Sequence, residues 1–161
     1  MSQKIAPFLW FDTEAEEAAE LYTSVFPNSR IVSISRYTEA GPRPAGSVMT
    51  VEFELDGQRV VALNGGPQFP FSEAVSLQID CESQEEVDHY WTLLTAGGEE
   101  APCGWLKDRF GFSWQVVPRG LKELVGDPDR ARAQRAMEAM FKMKKIDLPA
   151  MREAADSVPA A

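Results

Sequence analysis

The chain has 161 residues, which suits one domain with a substantial core, and its net charge of −9 disfavours binding to nucleic acid or anionic lipid. No apolar run approaches the roughly 20 residues of a membrane span, and residues 1–4 do not resemble the start of a signal peptide. The two cysteines have neither CxxC spacing nor partners for a disulfide framework, so we expect a protein of the reducing cytoplasm.

The first half of the chain predicts a strand, a helix and three further strands. Residues 5–11 form an apolar run typical of a buried strand. Thr13 and Glu16 have the spacing of a capping box, so we expect a helix to begin beside them. The further strands are predicted over residues 31–37, 48–55 and 59–63. Asp56-Gly57 predicts a tight hairpin turn between the last two.

The second half repeats this order. Residues 75–79 predict a strand, Ser83 with Glu86 makes a second capping box, and short strands are predicted over 105–109 and 112–117. The apolar helix faces match in register at a spacing of about 69 residues. Those faces are Ala18, Leu21, Tyr22 and Val25, and then Val87, Tyr90, Trp91 and Leu94. Two amphipathic helices could match by chance, but the shared order, caps and register favour a duplicated βαβββ module.

A helical tail without a counterpart follows. Asp127-Pro128-Asp129 predicts a helix start with proline at the first helical position, and Asp147 with Pro149 predicts a last short helix reaching about Ala155. The apolar face of the longer helix comprises Ala133, Ala136, Met137, Met140 and Phe141. We expect this tail to pack against the body of the protein or a second subunit, rather than to form a ligand site.

These elements predict an α+β protein with one paired domain and an extension. The paired βαβββ domain spans residues 1–118, with modules at about 1–67 and 68–118, and the helical extension spans 119–161.

Several separated motifs carry a family resemblance. They are PFLWFD at 7–12, residues 17–27, LNGGP at 63–67, CGWLKD at 103–108, GFSWQVVP at 111–118, and residues 135–147. The chain resembles the PhnB-like branch of the vicinal oxygen chelate superfamily, which has the fold of glyoxalases and bleomycin-resistance proteins. The resemblance implies two modules that curl into an open, barrel-like cleft, and commonly a homodimer.

The same branch often carries the label 3-demethylubiquinone-9 3-methyltransferase-like. A usual S-adenosylmethionine site needs a glycine-rich turn between a strand and a helix. The first such junction here, residues 11–14, has no glycine, so the residues do not support the methyltransferase label.

The resemblance also implies where a metal would be held, because members that use metals place one His or Glu ligand on each of four strands. Carried over by motif, those positions are Ile5, Asn64, Ala74 (with Glu73 beside it) and Gln115. Two lack a donor and two offer only amides, which are weak ligands. The single histidine, His89, is predicted on a helix surface, and Glu52 and Glu54 are interpreted as facing solvent. We therefore expect neither a metal site nor a cofactor.

What remains is a cleft with aromatic walls and a few polar anchors, a pattern typical of small-molecule sites. The candidate ligand-binding residues are Trp10, Asn64, Cys103, Trp105, Trp114 and Gln115. Each tryptophan is equally compatible with a place in the core, and Cys103 with a small buried side chain. Asp12 could act as a base but fits a helix N-cap better. Tryptophan in an acidic surrounding favours a planar or cationic ligand.

The sequence thus favours a metal-free protein that binds or sequesters a small molecule. The alternative is a glyoxalase- or dioxygenase-like enzyme with a non-standard metal or an acid–base site. A weaker alternative is an interaction module that works through its helical tail.

Overall fold

The computed structural model describes residues 4–157. The chain separates into two compact units that divide after Phe71. Each unit contains a strand, a helix and three further strands, and each forms its own four-stranded mixed sheet. The predicted α+β class and the two βαβββ modules are confirmed.

The first unit follows the predicted order with small shifts in its boundaries. Its elements are β1 (Phe8–Phe11), α1 (Ala15–Val25), β2 (Arg30–Arg36), β3 (Val48–Leu55) and β4 (Gln58–Asn64). The strands lie in the order β1-β4-β3-β2, and only β1 and β4 run parallel. Asp56 and Gly57 both have positive φ angles, 45° and 77°, as a tight hairpin turn of this twist requires.

The first strand is shorter than predicted. It begins at Phe8, and Ile5 is 87% exposed. Pro7 has no N–H with which to extend the ladder, and this explains the late start. The apolar face of α1 is confirmed in its main members: Tyr22 is fully buried against Phe53 of β3, with ring centroids 6.3 Å apart.

The second unit contains the repeated module. Its elements are β5 (Ser76–Cys81), α2 (Gln84–Thr95), β6 (Glu99–Glu100), a 3₁₀ turn (Pro102–Gly104), β7 (Trp105–Lys107) and β8 (Ser113–Pro118), in the sheet order β5-β8-β7-β6. The serine half of the predicted capping box is confirmed, because Ser83 is the N-cap and its Oγ accepts from Glu86 N at 3.3 Å; the glutamate half is shifted by one residue. The Glu86 carboxylate accepts from Glu82 N at 2.7 Å. Strand β6 was not predicted, since two adjacent glutamates carry no apolar pattern.

The tail forms three helices on the second unit: α3 (Gly120–Val125), α4 (Arg130–Met140) and α5 (Leu148–Asp156). Helix α3 was not predicted, because a helix of six residues is too short to show a periodic pattern of apolar residues. The expectation of Pro128 at the first helical position was wrong: Asp129 is the N-cap and accepts from Ala131 N and Arg132 N.

The tail has a small apolar core of its own, made of Leu124, Ala136, Ile146, Leu148, Met151 and Ala155. Helix α4 contributes through its small residues, so Met137 and Phe141, predicted on the buried face, are 38% and 64% exposed. Between residues 4 and 157 no helix has the length and apolar character needed to traverse a bilayer.

Candidate functional site

The sheet of the second unit has one polar face. Trp105 lies opposite Gln115 across β7 and β8, and Lys107 lies opposite Ser113, so these four side chains share a face. The intervening residues Leu106, Trp114 and Val116 are buried on the other face, where α2 packs. We call the surface formed by Trp105, Lys107, Ser113 and Gln115 the polar face.

A cavity of about 290 Å³ lies at this face. It is lined by Glu73, Glu99, Ala101, Pro102, Trp105, Leu106, Lys107 and Ser113. They provide an aromatic ring, one ammonium group, two carboxylates and a hydroxyl. A mostly apolar wall with a few polar groups of this kind is typical of a small-molecule site.

An ion pair crosses the cavity rim. Lys107 Nζ lies 2.6 Å from Glu73 Oε1. The hydrogen bond from Lys107 lowers the pKa of Glu73, and the same bond raises the pKa of Lys107, with a smaller contribution from the charge of Glu99. Both side chains are substantially exposed, so solvent screens the pair. One ammonium therefore faces two carboxylates, which leaves the cavity with a net negative charge.

The hydroxyl of Ser113 is the most unusual polar group of the site. Ser113 is 1% exposed, and within residues 4–157 its Oγ has no hydrogen-bond partner. A buried polar group left unpaired costs about 1–3 kcal/mol. Ser113 lines the cavity, but its Oγ is itself buried, so a bound molecule would supply the missing hydrogen bond only after a small shift of the wall.

Trp114, one of the candidate residues, lies beneath the polar face. It is 2% exposed, and its Nε1 donates to Asp108 Oδ2 at 2.8 Å. Asp108 Oδ1 accepts from the backbone N–H groups of Phe110 (2.9 Å) and Phe112 (3.1 Å). This places Trp114 in the core, in agreement with the alternative interpretation of the tryptophans. Sequence reasoning missed Asp108, although an Asp three residues before Gly111 is a common turn signal.

Gln115 and Cys103 occupy different environments. Gln115 lies on the polar face, where its Nε2 donates to Ser76 Oγ at 3.0 Å. Cys103 lies in the 3₁₀ turn, with its Sγ 3.8 Å from the backbone oxygen of Met140. A role of either residue in ligand binding stays a prediction.

Asn64 and Trp10 belong to the first unit, and both are engaged internally. Asn64 is 6% exposed; its Oδ1 accepts from Ala15 N at 2.8 Å and its Nδ2 donates to Val48 O at 3.2 Å. Asn64 thus caps α1 from β4. Trp10 Nε1 donates to Gly66 O at 2.8 Å, and the indole packs edge-on against Phe69.

The predicted start of α1 is therefore corrected. Glu14 occupies the N-cap and makes no side-chain cap hydrogen bond, so the Thr13–Glu16 capping box does not form as predicted. Asp12 is not the N-cap either, and its carboxylate lies 3.5 Å from Arg43 Nη2. The cap instead comes from Asn64, which lies 49 positions along the chain.

A second cavity of about 290 Å³ lies in the first unit, beside Arg43, Ser47 and Asn64. Three of its polar side chains already have partners: Ser47 Oγ donates to Pro44 O at 2.6 Å, Arg43 faces Asp12, and Asn64 caps α1. A ligand in this cavity would therefore satisfy fewer unpaired polar groups than one in the cavity lined by Ser113.

The donor set does not fit a metal centre of histidines and glutamates. Among residues 4–157, no three His, Cys, Asp or Glu side chains lie together in a group that could hold an ion. The carboxylate of Glu73 is paired with Lys107, and His89 is exposed on α2. Glu52 and Glu54 form ion pairs with Arg59 and Arg30.

Comparison with known proteins identifies the family. A family model described as 3-demethylubiquinone-9 3-methyltransferase matches residues 3–117. The structure of the PhnB protein from Bacillus cereus is 40% identical with a TM-score of 0.67, and 72% of this chain covers 99% of it.

More distant structures share the fold. A Pseudomonas aeruginosa protein is 21% identical with a TM-score of 0.60, over 73% of this chain and 98% of that one. The fosfomycin resistance protein FosX from Listeria monocytogenes is 17% identical with a TM-score of 0.52, over 76% and 98%. No curated protein matches the sequence. The chain belongs to the 3-demethylubiquinone-9 3-methyltransferase-like family, the PhnB-like branch of the vicinal oxygen chelate superfamily.

Proposed function

We propose that this protein binds a small organic molecule, without a metal, in the cavity on the polar face of the second unit. The observation that carries the proposal is the Ser113 hydroxyl, which is buried in the cavity wall and has no partner within residues 4–157. At about 290 Å³ the cavity is near the lower end of ligand pockets, which span about 300–1,000 Å³. A ligand with one aromatic ring and a short substituent would fit that volume.

The charges of the cavity favour a cationic ligand. Lys107 is neutralised by Glu73, and Glu99 stands opposite Lys107 in the β6–β7 pairing and adds a second carboxylate. Trp105 offers an aromatic face, against which a cation is stabilised by about 0.5–2 kcal/mol. A planar group with a positive charge would use the aromatic ring, the carboxylates and the hydroxyl together.

Binding or sequestering is favoured over catalysis by the residues at hand. A serine nucleophile requires a neighbouring base, and Ser113 has no hydrogen-bond partner among residues 4–157. Methyl transfer, the activity in the family description, finds no support in the glycine-free segment between β1 and α1. The fosfomycin resistance of FosX belongs to that protein, and its likeness to this chain supports the fold alone.

We further propose a homodimer in the cytoplasm. Large apolar side chains that stay exposed, such as Phe8 (58%) and Phe69 (64%), support self-association, and two free cysteines suit a reducing compartment. Light scattering coupled to size exclusion tests the dimer, and a monomer at all concentrations would contradict it.

The binding proposal is tested with three probes of similar shape and different charge: benzyltrimethylammonium, benzyl alcohol and benzoate. Affinities are measured by isothermal titration and ligand-observed NMR on metal-stripped protein. The cation should bind most tightly, the neutral probe less tightly and the anion most weakly. Trp105→Ala should weaken binding of the cation at least several-fold, since it removes the aromatic face.

Ser113→Ala is the decisive variant. It should weaken the binding of a hydroxyl-bearing probe, (2-hydroxybenzyl)trimethylammonium. Removing an unpaired buried hydroxyl should leave stability unchanged or raise it slightly, so weaker binding could not be attributed to unfolding. Ser24→Ala, an exposed serine of α1, is the matched control. The proposal fails if no probe binds at millimolar concentration, or if binding appears only after a divalent metal is added.

A further inference from the structure

The turn that precedes Trp105 has an unfavourable backbone. Cys103 and Gly104 both adopt left-handed conformations, with φ angles of 61° and 83°. For cysteine this conformation is disfavoured, and such residues persist where surrounding structure holds them. The turn therefore needs an external support.

The support comes from the segment that joins α4 to α5, residues 141–147, here called the α4–α5 linker. Cys103 N donates to Met143 O at 2.9 Å, and Gly104 N donates to Lys144 O at 2.7 Å. A Cβ on Gly104 would lie 3.1 Å from Ile146 Cγ1 and 2.8 Å from Val116 O. The linker thus binds the strained turn through its backbone and presses Ile146 against it.

The linker is itself tied to α2. Gln84 Nε2 donates to Ile146 O at 2.9 Å, and Gln84 Oε1 accepts from Leu148 N at 3.0 Å. Lys145 Nζ lies 2.6 Å from Asp88 Oδ1. The side chain of Gln84 therefore fixes the backbone at Ile146 and at Leu148, the first residue of α5.

Two neighbours of this turn line the proposed ligand cavity. Pro102 and Trp105 flank Cys103 and Gly104, and both belong to the cavity wall. The family match ends at residue 117, so the linker lies in the extension outside it. The wall of a site within the family fold is thus supported by a segment beyond that fold.

We propose that the C-terminal extension positions the cavity wall, and that Gln84 is the positioning residue that holds the α4–α5 linker in place. The functional consequence rests on the proposed binding site: a loosened linker frees the turn, and Trp105 loses its fixed place in the wall. Preorganisation of a wall lowers the entropic cost of binding, so affinity should depend on residues that never touch the ligand.

The test uses the full chain with Gln84→Met, which keeps the length and packing of the side chain and removes the hydrogen bonds to Ile146 and Leu148. It also removes a longer bond of 3.3 Å from Gln84 Nε2 to Asp88 Oδ1, the partner of Lys145. Amide hydrogen exchange at Cys103 and Gly104 should accelerate about ten-fold, because two bonds that resist local opening are lost. Gln134→Met is the matched control: Gln134 lies exposed on α4 and donates to Glu138 of the same helix, so its substitution should leave that exchange unchanged. The affinity for benzyltrimethylammonium should fall several-fold in Gln84→Met and not in the control.

The two proposals fail separately. Unchanged exchange at Cys103 and Gly104 in Gln84→Met would overturn the positioning role, as would an acceleration spread equally over β3 and β4 of the first unit, which would indicate general destabilisation. A wild-type protein that binds none of the probes would overturn the ligand site, whatever the exchange shows.

Discussion

Asn64 allows a quantitative test of how α1 is capped. Its side-chain oxygen accepts from Ala15 N, and its side-chain nitrogen donates to Val48 O. Asn64→Ala removes both bonds inside a site that is only 6% exposed. The helix N-terminus then loses its cap, and a backbone oxygen of β3 loses a donor.

The magnitude follows from the two losses. Removal of a helix cap costs about 1 kcal/mol, with a range of about 0.5–2. A partly buried carbonyl that loses its donor adds about 1 kcal/mol. We expect the free energy of unfolding to fall by about 2–3 kcal/mol. At about 2–4 °C per kcal/mol for a chain of this length, the midpoint of thermal unfolding should fall by about 4–12 °C.

Urea unfolding followed by circular dichroism measures the loss, and hydrogen exchange in α1 assigns it to the first unit. The exchange data are needed because two compact units need not unfold together. Thr13→Ala is the control, since the local capping box would make Thr13 the costly position. A loss below about 0.5 kcal/mol in Asn64→Ala, or a larger loss in Thr13→Ala, would refute the tertiary cap.

Three further outcomes are expected. Gly65→Ala should destabilise the first unit by more than about 2 kcal/mol in urea unfolding, because a Cβ at position 65 would lie 2.2 Å from an indole carbon of Trp10. Iodoacetamide at about pH 8 should label Cys103 before Cys81, which mass spectrometry can read out, because desolvation, with nearby carboxylates, raises the pKa of buried Cys81 to about 12. Lys107 lowers the pKa of Glu73, so their ion pair should hold above the ordinary glutamate pKa and be lost as pH falls through the lowered value. An NMR titration should show this, and Lys107→Met should raise the pKa of Glu73.

Local patterns predicted most of the secondary structure. The Asp56-Gly57 turn, the Ser83 cap and the Asp147 cap all depend on residues within a few positions of each other, and all three are present in the structure. The elements that escaped prediction, β6 and α3, have two and six residues. Elements this short have no periodic pattern to detect.

The duplication was also readable from sequence, because helix faces and strand order recur in a register that contacts within each module preserve. The site was only partly readable. Trp105 was correctly placed on a strand, and the structure puts it in a cavity wall. Trp114 has the same residue type and a similar strand context, yet it lies in the core. Alternation separates the two faces of a strand but does not say which face is covered.

What the sequence determined by itself is therefore the order of the elements, their amphipathic faces and the absence of histidine-rich metal motifs. Tertiary structure alone decided that Asn64 caps a helix 49 positions away and that Gln84 holds the α4–α5 linker. It also decided that Ser113 is buried with no hydrogen-bond partner for its Oγ in the described part of the chain. The physical reason is the separation along the chain between the groups that interact. Periodicity and local caps arise from neighbours along the chain, whereas these features depend on which distant groups the packing within each unit brings within about 3 Å of each other.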